Sequence, residues 1–104
     1  MPSDPAAVFA ALGDPTRLAL LGRLGGGAAL SIRDLAEGLP ISRQGVTKHL
    51  RVLEEAGLLA SERASREVLF RGRPEGLSAA QAHLERIAAG WDDALARLKA
   101  QVEG

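Results

Sequence analysis

Arg43, Gln44, Thr47, Lys48 and Arg51 are the residues whose types and spacing suit a defined chemistry. They lie in the stretch Ile41–Gly57, ISRQGVTKHLRVLEEAG. Val46, Leu50 and Leu53 recur at spacings of four and three, which is the stripe of an amphipathic helix. The five polar residues point away from that stripe, and no acid stands among them. Guanidinium, carboxamide, hydroxyl and ammonium groups in the first turns of a helix match the base edges and phosphates of a DNA major groove. Ser42 stands where a hydroxyl can cap the helix N-terminus, and Gly57 where a left-handed residue ends it. A solvated helix face is the ordinary reading of such a surface taken alone. Its surroundings favour the groove.

Other chemistries lack their residues. The chain has no Cys, so disulfides, thiol catalysis and thiolate metal sites are all excluded. It holds two His, of which His49 reads as a packed or capping residue and His83 as a solvated one. There is no Ser-His-Asp set, no glycine-rich phosphate loop and no paired carboxylates in a cleft pattern. An enzyme is not expected, and neither is a cofactor. No apolar run reaches the length of a membrane span and no basic-then-apolar signal segment opens the chain, so the expectation is cytoplasmic.

The net charge of these 104 residues is zero, yet its distribution is uneven. Residues 42–73 hold seven Lys or Arg against four acids, while both flanking segments are slightly acidic. Such a local excess can steer a polyanion even when the total cancels.

The elements that must position this helix can be read in order. Residues 1–4 look frayed. Pro5–Leu12 reads as a short helix with Val8, Phe9 and Leu12 on one side, ended by Gly13. Asp14 and Pro15 restart a helix as cap and first residue. Leu18, Leu21 and Leu24 form its buried stripe. Gly25–Gly27 is a break within one domain, with Ala28–Leu30 a possible extended piece. Ser31-Ile-Arg-Asp34 matches a capping box and opens a third helix through Glu37. The helices capped by Ser31 and Ser42 are joined by about four residues, the spacing of a helix-turn-helix. After Gly57 the period changes to two. Leu58–Arg63 and Glu67–Arg71 read as strands joined by Ala64–Arg66, with Leu59, Val68 and Phe70 facing inward. The hairpin tip presents Arg63, Ser65 and Arg66 as a basic wing able to reach phosphate. Pro74 breaks the second strand. A last helix over Glu75–Val102 carries Leu84, Ile87, Trp91, Leu95, Leu98 and Val102 at spacings of 3, 4, 4, 3 and 4, a heptad-like seam.

The segments LGDPTRLALLGRL and SIRDLAEGLPISRQGVTKHLRVLEEAGLL, the basic hairpin and the long final helix together resemble ArsR-type winged-helix transcriptional regulators. The likeness runs from about Phe9 to Phe70. It implies a mainly α fold of about five helices plus a two-stranded wing in a single domain, residues 1–104. It implies a dimer, and a repressor that binds operator DNA and releases it when an effector binds. Ser42, Arg43, Gln44, Thr47, Lys48, Arg51, Arg63, Ser65 and Arg66 would face double-stranded DNA. Val8, Phe9, Leu12 and the seam of the last helix, residues 75–103, would form the homodimer interface. The metal-sensing members of that family carry Cys-x-Cys on the bracing helix; Ser31 and Arg33 stand there instead, and neither is a thiolate. On the last helix His83 has no second His at ligand spacing, and adjacent Asp92 and Asp93 diverge by about 100°. No metal site is expected, and any small-molecule effector is unidentified. The alternative function is a winged helix that binds protein without DNA affinity. Such a module more often carries aromatic or aliphatic anchors where this chain has Arg43, Gln44, Thr47 and Lys48.

Overall fold

The computed structural model describes residues 4–103. Five helices and a small sheet follow one another in the order α1 (Pro5–Leu12), α2 (Pro15–Arg23), β1 (Leu30–Ser31), α3 (Ile32–Ala36), α4 (Arg43–Glu55), β2 (Leu59–Ala64), β3 (Glu67–Gly72) and α5 (Pro74–Glu103). This is a mainly α winged helix-turn-helix fold. Asp4 is no frayed residue: its carboxylate accepts from the Ala6 N–H at 3.2 Å and caps α1. Residues 1–3 lie outside the described residues.

Short-range chemistry sets most boundaries. Asp14 caps α2 by accepting from the Arg17 N–H at 3.0 Å, with Pro15 as first residue. Ser31 and Asp34 form the capping box in both directions, at 3.1 and 3.4 Å. Gly57 ends α4 in the left-handed region at φ 83°, which lets the Leu58 N–H return to the Leu53 carbonyl at 3.0 Å.

The sheet departs from the expected two-stranded hairpin. Leu30 pairs with Phe70 and Ser31 with Leu69, so β1 adds a third strand in the order β1-β3-β2. A two-residue strand has no period of its own to read; only the approach of β3 makes it one. Within the wing the register runs from Leu59 opposite Gly72 to Ala64 opposite Glu67. The turn is Ser65–Arg66, and Ser65 sits at φ 60°. Phe70 and Leu59 are fully buried while Val68, nearer the tip, is half-buried.

Leu20, Leu24, Leu35, Val46, Leu50, Leu53, Leu58, Leu59 and Phe70 form the core, closed above by Ala80 of α5. Leu18, expected inside, is exposed, because α2 turns Leu20 to the core instead. Val8 corrects the reading of α1. It is fully enclosed in this core rather than presented to a second subunit. α1 packs against α2, α4 and α5 at once, which turns Val8 and Ala11 inward and leaves Phe9 and Leu12 half-buried. α5 begins pressed on the end of α4, where a Cβ on Gly76 would lie 2.0 Å from the Gly57 carbonyl oxygen. From Leu84 onward every described residue of α5 is exposed.

Candidate nucleic-acid interface

The recognition face is set by burial of the opposite one. Val46, Leu50 and Leu53 are wholly buried, which fixes the rotation of α4 about its axis. Arg43, Gln44, Lys48 and Arg51 are thereby exposed, and Thr47 is half-buried. Ser42 stays at the cap, its hydroxyl oxygen accepting from the Gly45 N–H at 3.0 Å. Thr47 donates its hydroxyl to the Arg43 carbonyl at 2.8 Å. Arg43, Gln44 and Lys48 make no side-chain hydrogen bond or ion pair among the described residues.

Arg51 differs from its neighbours. Its Nη1 donates to Glu54 Oε1 at 2.7 Å, and its guanidinium lies 5.4 Å from the Phe70 ring centroid. Glu54 also accepts from the Ser61 hydroxyl of β2. The Ser61 hydrogen bond is the main cause holding the Glu54 carboxyl below the usual range, and Arg51 adds to it. These contacts tie the recognition helix to the base of the wing. Arg51 is therefore held in place by both contacts.

The wing tip rises beside the N-terminus of α4. Arg63 stands opposite Val68, and Arg66 lies in the turn. Between wing and helix runs an open groove of about 410 Å³, lined by Arg33, Arg43, Gln44, Thr47, Arg66 and Val68 among others. Arg33 is the residue that the sequence reading left out of the interface. It sits in the first turn of α3 and is exposed. Its charge was visible, but nothing local says that α3 would deliver it to the same groove as Arg43 and Arg66. Arg33, Arg43, Lys48, Arg63 and Arg66 pair with no acid among the described residues. Of these, Arg33, Arg43 and Arg66 line the groove together with one acid, Glu67, a cationic excess that a bound anion would offset.

The bracing of α4 against the other helices is also polar. Arg23 donates to the carbonyls of Leu35 and Glu37 at 2.9 and 2.7 Å and holds the end of α3. His49 is a packed residue, its Nδ1 3.3 Å from Arg17 Nη1 and 3.8 Å from the Asp14 carboxylate. His83, expected in solvent, is half-buried, with its ring 6.3 Å from that of Phe9. Asp92 and Asp93 are exposed. No cluster of three His, Asp or Glu suited to a metal occurs among the described residues, and none of their helices is long and apolar enough to cross a membrane.

Comparison with known proteins agrees with this geometry. A helix-turn-helix domain family matches residues 12–62. The HTH-type transcriptional regulator Rv2034 of Mycobacterium tuberculosis is 37% identical over 92 residues, covering 88% of this chain and 82% of that protein. The transcriptional repressor SdpR of Bacillus subtilis is 33% identical over 63 residues, covering 61% of this chain and 69% of that protein. An ArsR-like transcriptional regulator from Rhodococcus sp. RHA1 superposes with a TM-score of 0.76 at 44% identity, over 91% of this chain and 89% of that one. A fold with a cationic helix and wing, and likeness along nearly the whole chain, lead to one conclusion: this protein belongs to the ArsR family of winged helix-turn-helix transcriptional regulators, a non-enzymatic family.

Proposed function

We propose that the chain acts as a homodimeric repressor that occupies a palindromic operator. The observation that carries this reading is the acid-free first two turns of α4, which expose Arg43, Gln44 and Lys48, with Arg33 and Arg66 lining one groove beside Arg43 and Gln44. Arg43 and Gln44, in the first turn, read base edges, while Lys48, Arg51, Arg63 and Arg66 hold phosphates. Ser42, Thr47 and Ser65 lie between them along the same surface.

Dimerisation is supported by α5. Its Leu84, Ile87, Trp91, Leu95, Leu98 and Val102 are all exposed, an apolar seam that a second copy of the same helix would cover. Phe9 and Leu12 of α1 border it. The two-fold symmetry of such a dimer sets two recognition helices about one DNA turn apart, so the operator is a palindrome. Bound there, the dimer excludes polymerase; the name of the relative SdpR supports repression. No metal gates it, because Ser31 and Arg33 offer no thiolate. The protein works in the cytoplasm, where the DNA is.

The test is binding to the DNA upstream of its own gene, followed by fluorescence anisotropy at several salt concentrations. The operator should bind at least about a thousandfold tighter than scrambled DNA, with log K falling linearly in log salt. Equal binding to both DNAs would sink the sequence-specific reading. No binding to either, alongside capture of a protein partner on the α4 face, would favour the interaction module.

A further inference from the structure

Arg17 has no part in the interface above, yet from α2 it touches two other helices, α1 and α4. It stands near the start of α2 and is half-buried. Its Nε donates to the Ala11 carbonyl at 2.6 Å and its Nη2 to the Ala10 carbonyl at 3.4 Å. Those carbonyls belong to the last turn of α1, where positive charge is favoured; the Ala10 carbonyl also accepts from the Gly13 N–H at 3.2 Å. Its Nη1 lies 3.3 Å from Nδ1 of His49, midway along the recognition helix. The Asp14 carboxylate accepts from the Arg17 N–H at 3.0 Å and lies 3.8 Å from the same His49 nitrogen. For Arg17 to donate, His49 must offer Nδ1 as an unprotonated acceptor.

α1 in turn packs along α5, with Phe9 against His83. A continuous path therefore runs from the start of the apolar seam, through α1 and Arg17, to the recognition helix. Apolar contacts along this path tolerate small rolls and slides. A planar guanidinium with donors in a fixed fork does not. We propose that Arg17 and His49 form a positioning joint that sets the angle of α4 against α1 and α5, and so fixes the half-site spacing the dimer accepts. This rests on the dimeric DNA-binding reading above.

Spacing preference is the readout, because loss of stability alone would not change it. Adding or removing one base pair shifts a half-site by about 3.4 Å and turns it by roughly 34°. The wild-type protein should prefer its native spacing over either neighbour by about tenfold, comparable to the cost of one mismatched base pair. His49→Leu and Arg17→Met should reduce that preference to about twofold, with the dimer dissociation constant unchanged by sedimentation. His49→Asn places Oδ1 near where Nδ1 stood and should restore the preference. A folded His49→Leu protein that keeps the wild-type preference would overturn the joint. Should His49→Leu or Arg17→Met fail to fold by circular dichroism, Arg17→Lys takes its place. It keeps a cation for α1 but has no fork to reach His49, so undiminished preference there would overturn the joint equally. A wild-type protein with no operator binding, or with no spacing preference, would instead defeat the dimeric reading on which the joint stands.

Discussion

Arg43 and Arg66 carry the same charge and differ in what they can reach. Arg43 projects from the first turn of α4, the helix proposed to enter the major groove, whereas Arg66 lies in the hairpin turn beside it. Arg43→Ala should cost roughly 1–3 kcal/mol of operator binding and relax the preference at one base position. Arg66→Ala should weaken all sequences alike and reduce the salt slope by about one unit. Arg33→Ala should behave as Arg66→Ala does, since it lines the same groove from the other side. A change of base preference in the Arg66 variant, or none in the Arg43 variant, would overturn this division. At the same scale, Ser31 has its oxygen committed to the Asp34 N–H and Arg33 is a cation. Micromolar zinc, cadmium or arsenite should accordingly leave operator affinity unchanged in the same anisotropy assay.

Between elements, the wing is coupled to the recognition helix through Glu54. Its carboxylate accepts from Ser61 on β2 and from Arg51 on its own helix. Its folded pKa is lowered, chiefly by Ser61, so the fold favours the charged form. That stabilisation is full above the unfolded Glu value near about 4.3 and is lost as pH falls through the lower folded value. Asp14 and Glu75 are lowered too, by the Arg17 backbone N–H and by Glu75's own N–H with Arg73 respectively, and act in the same window. Glu54→Gln should cost about 0.5–1.5 kcal/mol at neutral pH, and the difference from wild type should vanish in acid; thermal melts across pH measure both. α5 is seated by absence of a side chain. Gly76→Ala would drive a Cβ into the backbone oxygen of Gly57, which cannot retreat as a flexible side chain can. The expected loss is roughly 1–3 kcal/mol or more, read by denaturant titration.

The whole molecule is far from spherical. Its extents are 68 × 31 × 21 Å and its radius of gyration is 18.1 Å, against about 13 Å for a compact chain of this length. The excess is α5, whose 30 residues span about 45 Å and leave the body after His83. Trp91 is 72% exposed near the middle of the seam, where each large apolar side chain forgoes about 1.5–3 kcal/mol of burial. A second copy packed along this helix would recover that energy and fix the distance between the recognition helices. Trp91→Ala should therefore raise the dimer dissociation constant and weaken operator binding together. Sedimentation of the wild-type protein as a monomer at micromolar concentration would refute the dimer.

What the sequence determined by itself is what neighbouring residues decide among themselves. Ser31, Asp14 and Ser42 cap the helices that follow them, Gly57 turns out of α4, and Val46, Leu50 and Leu53 dictate which face is buried. Each depends on groups a few residues apart, whose geometry follows from the backbone, so the helix-turn-helix, the exposed polar face of α4 and the final helix were all legible. The tertiary structure alone decided the rest. Leu30 and Ser31 are a strand only because Phe70 and Leu69 lie beside them. Val8 is core because three helices close over it, and Gly76 must be glycine because a distant turn passes within van der Waals reach. Arg33 joins Arg43 and Arg66, and Arg17 meets His49 32 positions away, only once the core has folded. Those pairings link residues far apart in the chain. Their partners are chosen by how the apolar faces stack, which no short window of sequence contains.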